Sequence, residues 1–112
     1  MSFKCTAWND GKQHPSGAGY GFKIPIISRD MYFRRDWKSV VLELPVDGGF
    51  SNLTLNVDKP SFWNKTCHEL IGQGIGQWLR AANLAPWVSG HPLKFILEVV
   101  GERRFRLTQV VS

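Results

Sequence analysis

The sequence predicts an α+β fold in which a mainly antiparallel sheet, or a small barrel, packs against one principal helix. Three observations predict it: apolar and polar residues alternate in several short segments, the apolar period changes to helical spacing at about 66–83, and two more alternating segments close the chain. Because strands and helices do not alternate along the chain, parallel βαβ units are not expected. The 112 residues can enclose one core. We therefore expect a single domain spanning residues 1–112.

The first third of the chain predicts two strands and a long loop. Residues 3–8 and 20–27 have strand character, and "NDGKQHPSGAG" (9–19) between them is dense in turn-forming residues. Pro25 places the second strand at a sheet edge or at a bulge, because proline lacks a backbone N–H. Residues 28–37 are compatible with a short helical turn or with an irregular connection.

Two hairpins are predicted, one in the middle of the chain and one at its end. Residues 38–44 and 50–57 alternate between apolar and polar side chains, and the short connection "PVDGG" joins them. Residues 93–100 and 104–111 alternate in the same way around "GER". The final pair is therefore expected to form a C-terminal hairpin of the sheet.

The principal helix is predicted over residues 66–83. Thr66 and Glu69 have the spacing of a capping box at its start, and Asn83 followed by Pro86 is typical of its end. One apolar stripe at helical spacing is formed by Cys67, Ile71, Ile75, Trp78, Leu79 and Ala82. This stripe is expected to be buried against the sheet.

The formal charge of +5 favours an anionic partner. Residues 1–56 have seven basic and five acidic side chains, or +2, and residues 57–112 have seven and four, or +3, so no basic tail is present. No apolar run approaches membrane-spanning length, and no signal peptide opens the chain. We expect a cytoplasmic protein without a membrane partner, in which Cys5 and Cys67 are reduced thiols.

The stretch "GYGFKIP" (19–25) is the most distinctive local pattern. A phosphate-binding loop is excluded because Phe22, Lys23 and Ile24 follow Gly21, where that motif requires Gly-Lys-Ser/Thr and the start of a helix. Two interpretations of the aromatic residues remain. Tyr20 and Phe22 are either exposed rings that stack on bases or same-face residues of a strand that pack into the core.

"GYGF" (19–22) matches the centre of the ribonucleoprotein motif, whose rings stack on nucleobases. With "AWND" (7–10) and "DMYF" (30–33) it resembles the first three strands of a cold-shock domain, over about a quarter of the chain. The resemblance implies an OB-type barrel that binds single-stranded nucleic acid through these aromatics. Because nothing after residue 38 follows that pattern, no family is assigned.

The leading functional hypothesis is a non-catalytic binding module for an anionic partner, and nucleic acid is the partner that we favour. Arginines would contact phosphates while exposed rings stack on bases, and Arg104 and Arg106 are expected on one face. In its base-stacking form, the hypothesis predicts that Tyr20 or Phe22 is exposed beside Arg34 or Arg35. The candidate residues are Tyr20, Phe22, Lys23, Tyr32, Arg34, Arg35, Trp37, Lys38, Arg104 and Arg106.

Two alternatives remain open. One is a protein–protein interaction module with exposed rings such as Trp63 and Trp87 as anchors. The other is a small-ligand binder, or an enzyme, with a cavity near the loop from Gly17 to Gly21. We favour a protein without enzymatic activity, because the histidines, cysteines and carboxylates show no catalytic or metal-ligand spacing. No catalytic residue, metal ligand or cofactor is assigned.

Overall fold

The computed structural model describes residues 1–111 and contains seven strands and three short helices in that range. Most strands fall on the segments in which apolar and polar residues alternate. Both predicted hairpins are present. The elements are β1 (Ser2–Asn9), β2 (Tyr20–Lys23), α1 (Ile26–Tyr32), β3 (Ser39–Val46), β4 (Gly49–Asn56), α2 (Pro60–Trp63), β5 (Glu69–Ile71), α3 (Gln73–Ala81), β6 (Lys94–Gly101) and β7 (Arg104–Val111).

All seven strands belong to one mixed sheet that curls into a half-barrel, so the α+β class is confirmed. The strand order is β4-β3-β7-β6-β1-β2-β5. Neighbouring strands are antiparallel except for β3 and β7, which run parallel with Leu42 opposite Phe105. The inner face encloses the core, whose largest wholly buried aromatic side chains are Tyr20, Phe22, Phe62, Phe95 and Phe105.

The principal helix is shorter than predicted and begins later. Helix α3 starts after Gly72, so the predicted span of 66–83 is wrong in its first half. Ile75 is buried as predicted. Trp78 is half-buried, and its indole N–H donates to the carbonyl of Pro45 at 2.7 Å. Two further short helices, α1 and α2, accompany α3, so the fold has no single principal helix.

A turn and a strand replace the first half of the predicted helix. The side-chain oxygen of Asn64 accepts the backbone N–H groups of Thr66 and Cys67 at 3.0 and 2.6 Å, which competes with helical hydrogen bonding. His68 then has a φ of 78°, outside the right-handed helical region. The capping box predicted between Thr66 and Glu69 is therefore wrong, and Glu69 begins β5 instead.

Helix α1 occupies part of the segment that was predicted as strand over 20–27. Pro25 stands at its N-cap with a φ of −56°, a value that suits a helix start. Arg29 is buried, and its guanidinium donates to the carbonyls of Phe62 and Asn64 at 3.0 and 2.6 Å. These bonds attach α1 to α2. No helix within residues 1–111 has the length and apolarity needed to cross a membrane.

The glycine loop before β2 packs directly on α3. Gly17 has a φ of 89°, and a Cβ there would lie 2.6 Å from the backbone nitrogen of Gln77. Arg80 of α3 donates to the carbonyl of His14 at 3.2 Å and to the hydroxyl of Tyr20 at 3.1 Å. The space beside Gly17 is therefore filled by the helix backbone.

Candidate functional site

The two rings of the opening motif are core residues. Tyr20 and Phe22 are both 0% exposed. The Phe22 ring packs on Phe95 with centroids 5.1 Å apart, and the Tyr20 ring meets Trp87 edge-on at 5.7 Å. Because β2 lies between β1 and β5, its inward side chains are enclosed. Of the two interpretations of these rings, exposed stacking on bases is wrong and packing into the core is confirmed.

Two other predicted residues are engaged in packing and ion pairing. The Tyr32 ring stacks on Phe3 with centroids 5.2 Å apart, at the end of α1. Residues 30–32 of "DMYF" are therefore helical, where the cold-shock resemblance implied a third strand. The Lys23 ammonium lies 3.8 Å from the carboxylate of Glu69 on the outer side of the sheet.

Arg104 and Arg106 share a face, as predicted, and they share one carboxylate. Arg104 donates to Oε2 of Glu43 at 2.8 Å, and Arg106 donates to Oε1 at 2.7 Å. The parallel pairing of β3 with β7 places Glu43 opposite Arg106 and so brings the three together. These hydrogen bonds lower the pKa of the Glu43 carboxyl, although its burial acts in the opposite direction. Each guanidinium uses one nitrogen on Glu43, and both arginine side chains remain 40% exposed.

Arg35 and Trp63 also bind each other. The Arg35 guanidinium lies 5.0 Å from the centroid of the Trp63 ring, and that of Arg29 lies 5.3 Å from it. The indole N–H of Trp63 donates to the carbonyl of Val57 at 2.8 Å. Trp63, which was a candidate anchor for a protein partner, is therefore held inside a cation–π cluster.

The remaining predicted cations line an open cleft of about 500 Å³, which we call the basic cleft. It lies between the loop after α1 and the turn that joins β6 to β7. Its cations form only long contacts with carboxylates: Arg34 is 3.6 Å from Asp36, and Lys38 is 3.9 Å from Asp58. All four of these side chains are exposed. The lining residues are Arg34, Asp36, Trp37, Lys38, Glu102 and Arg103.

Arg103 has a backbone conformation that is unusual for its residue type. Its φ is 56°, in the left-handed region that favours glycine, and its carbonyl accepts the N–H of Val41 at 2.8 Å. The turn has two residues, because Gly101 pairs with Arg104. No carboxylate within residues 1–111 forms an ion pair with Arg103. Sequence reasoning missed this residue, although "GERR" between two strands was a usable signal.

Trp37 adds a neutral donor to the cleft. Its ring packs edge-on against Phe33 at 6.3 Å, which leaves the residue half-buried. Its indole N–H has no acceptor within residues 1–111, and none of the unpartnered side-chain N or O atoms in that range is buried. This N–H is therefore open to solvent. The cleft is lined by three cations and two carboxylates, Asp36 and Glu102, so the cations exceed the carboxylates by one charge.

The two cysteines are free thiols in different surroundings. Cys5 lies in the core, where burial raises the pKa of its thiol, and Cys67 is half-buried in the turn before β5. Over the described range, His, Cys, Asp and Glu form no group of three that could hold a metal ion.

In class, the chain is a small α+β protein whose mixed sheet curls into a half-barrel with a basic cleft at one end of β6. Comparison of the chain with protein-family models, with curated proteins and with solved structures gave no match.

Proposed function

We propose that the chain is a non-catalytic binding module that holds the phosphate backbone of a nucleic acid in the basic cleft. The cleft itself is the observation that supports this function. Arg34, Lys38 and Arg103 line it together with Trp37, whose indole N–H has no acceptor among the described residues. Phosphate oxygens carry negative charge and only accept hydrogen bonds, so a site rich in cationic donors suits them.

In this proposal the protein binds nucleic acid without discriminating between base sequences. Tyr20 and Phe22 are buried, so they contribute no base stacking, and backbone contacts alone carry no information about bases. Asp36 and Glu102 also line the cleft and reduce its positive potential. We therefore expect modest affinity that falls steeply with salt, because each neutralised phosphate releases counterions.

The test is a salt series of binding to a labelled oligonucleotide of random sequence, single-stranded and duplex, followed by fluorescence anisotropy. If three cations each neutralise one phosphate, log K should fall with log salt with a slope of about −2 for single strands. Affinity that is independent of salt, or binding that is absent at low salt, would contradict the proposal.

Arg103→Gly is the sharpest variant for this test. It removes one cation at a φ that glycine adopts freely, so the stability of the fold should be kept or raised by up to about 1 kcal/mol. Binding should weaken, and the slope should change by about 0.7. Lys12→Ala is the matched control, since it removes an exposed cation from the loop at the other end of the sheet. Equal losses in the two variants would contradict a role for the cleft.

A further inference from the structure

A second cleft lies at the opposite end of β6, between the loop 9–19 and the segment 84–92. It has a volume of about 410 Å³, and none of its lining residues is charged. We call it the tryptophan cleft, because two tryptophan residues line it. Its principal lining residues are Trp8, Asn9, Gln13, Trp87, Ser89 and Pro92.

The protein holds the Trp87 side of this cleft in place. The side-chain amide of Gln13 donates to the carbonyl of Trp87 at 3.2 Å, and its oxygen accepts the backbone N–H of Trp87 at 3.1 Å. The Tyr20 ring supports Trp87 from the core side. Trp8 lies on β1 opposite Gly21, so no side chain of β2 stands directly across from its ring. The part of the cleft formed by Gln13 and Trp87 is therefore preformed, and the Trp8 side chain has open space across from it.

Apart from the Ser89 hydroxyl, which can donate and accept, the side-chain polar groups left over in this cleft are donors. Both ends of the Gln13 amide are used by Trp87, and Oδ1 of Asn9 accepts the N–H of Gly11 at 2.6 Å, which leaves the Asn9 amino group free. The indole N–H groups of Trp8 and Trp87 have no acceptor among the described residues, and none of the unpartnered side-chain polar atoms there is buried. A matching ligand has flat apolar surfaces and acceptors, and few donors.

We propose that the tryptophan cleft binds a proline-rich peptide segment in the polyproline II conformation. Proline has a backbone carbonyl but no N–H, so such a segment offers acceptors without donors. Its rings pack on aromatic side chains, and its stiff helix loses little entropy on binding. Sugar hydroxyls and base edges would bring donors of their own, and phosphate would need the cations that this cleft lacks. The proposal shares no residue with the basic cleft and does not depend on nucleic-acid binding.

The experiment follows the five indole N–H signals of the ¹⁵N-labelled protein while decaproline is added. The signals of Trp8 and Trp87 should shift and saturate. Those of Trp63 and Trp78 should stay in place, because their N–H groups are bound to the carbonyls of Val57 and Pro45. A glycine–serine peptide of equal length is the control and should shift none of them.

Two variants distinguish the contribution of the Trp8 ring from that of its indole N–H. Trp8→Phe keeps an aromatic surface and removes the N–H, whereas Trp8→Ala removes both, so decaproline affinity should fall in that order and by at least about tenfold for Trp8→Ala. A thermal melt of each variant establishes that it is folded. The proposal is overturned if decaproline shifts neither signal, or if the glycine–serine peptide shifts them equally. Saturation only by maltose, or only by a single-stranded oligonucleotide, overturns it and assigns the cleft to a sugar or a base.

Discussion

Glu43 determines what two of the predicted binding residues do. Arg104 and Arg106 were assigned to nucleic acid because their spacing places them on one side of a strand, and that spacing was interpreted correctly. The sequence does not reveal that β3 runs beside β7 and brings a carboxylate between them, since 61 residues separate Glu43 from Arg104. Local patterns therefore predicted that the two arginines share a face, whereas their contact with Glu43 depends on long-range strand pairing.

The same distinction applies to the other candidate residues. The grouping of Arg34, Trp37 and Lys38 could be predicted because they are close in sequence and remain close in one loop. Tyr20 and Phe22 could not be assigned, because alternation with glycine is the same for a stacking platform and for a buried strand. Only the position of β2 inside the sheet separates the two cases.

Glu43→Gln should reduce the free energy of unfolding at neutral pH. It should also make that free energy less dependent on pH in the acid range. The pKa of Glu43 is lowered in the folded state by hydrogen bonds from Arg104 and Arg106. Its contribution is therefore fully present above the unfolded value of about 4.3 and is lost as pH falls through the lower folded value. Urea unfolding at a series of pH values from neutral to acid measures this effect. Parallel profiles for wild type and variant would contradict the role of Glu43.

At the scale of elements, α3 shows why apolar spacing alone misplaced a helix boundary. Residues 67, 71, 75 and 78 have helical spacing, yet Ile71 is 37% exposed and belongs to β5. Two other residues indicate the true start of the helix more clearly. Asn64 accepts hydrogen bonds in the turn before β5, and Gly72 is the N-cap of α3. The second half of the predicted helix is correct, and it contains the buried residues Ile75 and Leu79.

Two glycines of α3 differ in what a methyl group would meet. A Cβ at Gly76 would overlap the backbone carbonyl of Gly17 and lie 2.5 Å from the Tyr20 ring, whereas at Gly74 it would meet only the end of the Leu53 side chain, at 2.7 Å. Gly76→Ala should therefore cost about 1–3 kcal/mol. Gly74→Ala should be close to neutral, because a gain in helix propensity of about 1 kcal/mol offsets the shift of Leu53.

Chemical denaturation of the two variants checks this contrast, and each serves as the control for the other because both add one methyl group to the same helix. Equal stability of Gly74→Ala and Gly76→Ala would mean that the loop 9–19 does not pack on α3 as described. The measurement is independent of any ligand.

At the scale of the whole molecule, strand order was beyond the reach of the sequence. The C-terminal hairpin inserts β7 between β3 and β6, which produces the single parallel pair of the described sheet. Alternation and turn residues report only on each strand and its nearest neighbour in the chain. Class and hairpins were therefore predictable, whereas the curl of the sheet and the two clefts depend on contacts between distant segments.

The positions of the two clefts predict that their ligands bind independently. The eight residues of β6, at about 3.3 Å each, separate the clefts by roughly 26 Å, which is well beyond the screening length of about 10 Å at moderate salt. Saturating oligonucleotide should therefore change the affinity for decaproline by less than about twofold. A titration of decaproline with and without oligonucleotide measures this. Competition would instead indicate one continuous binding path over the outer face of the sheet, where Lys4 and Lys94 are exposed between the clefts.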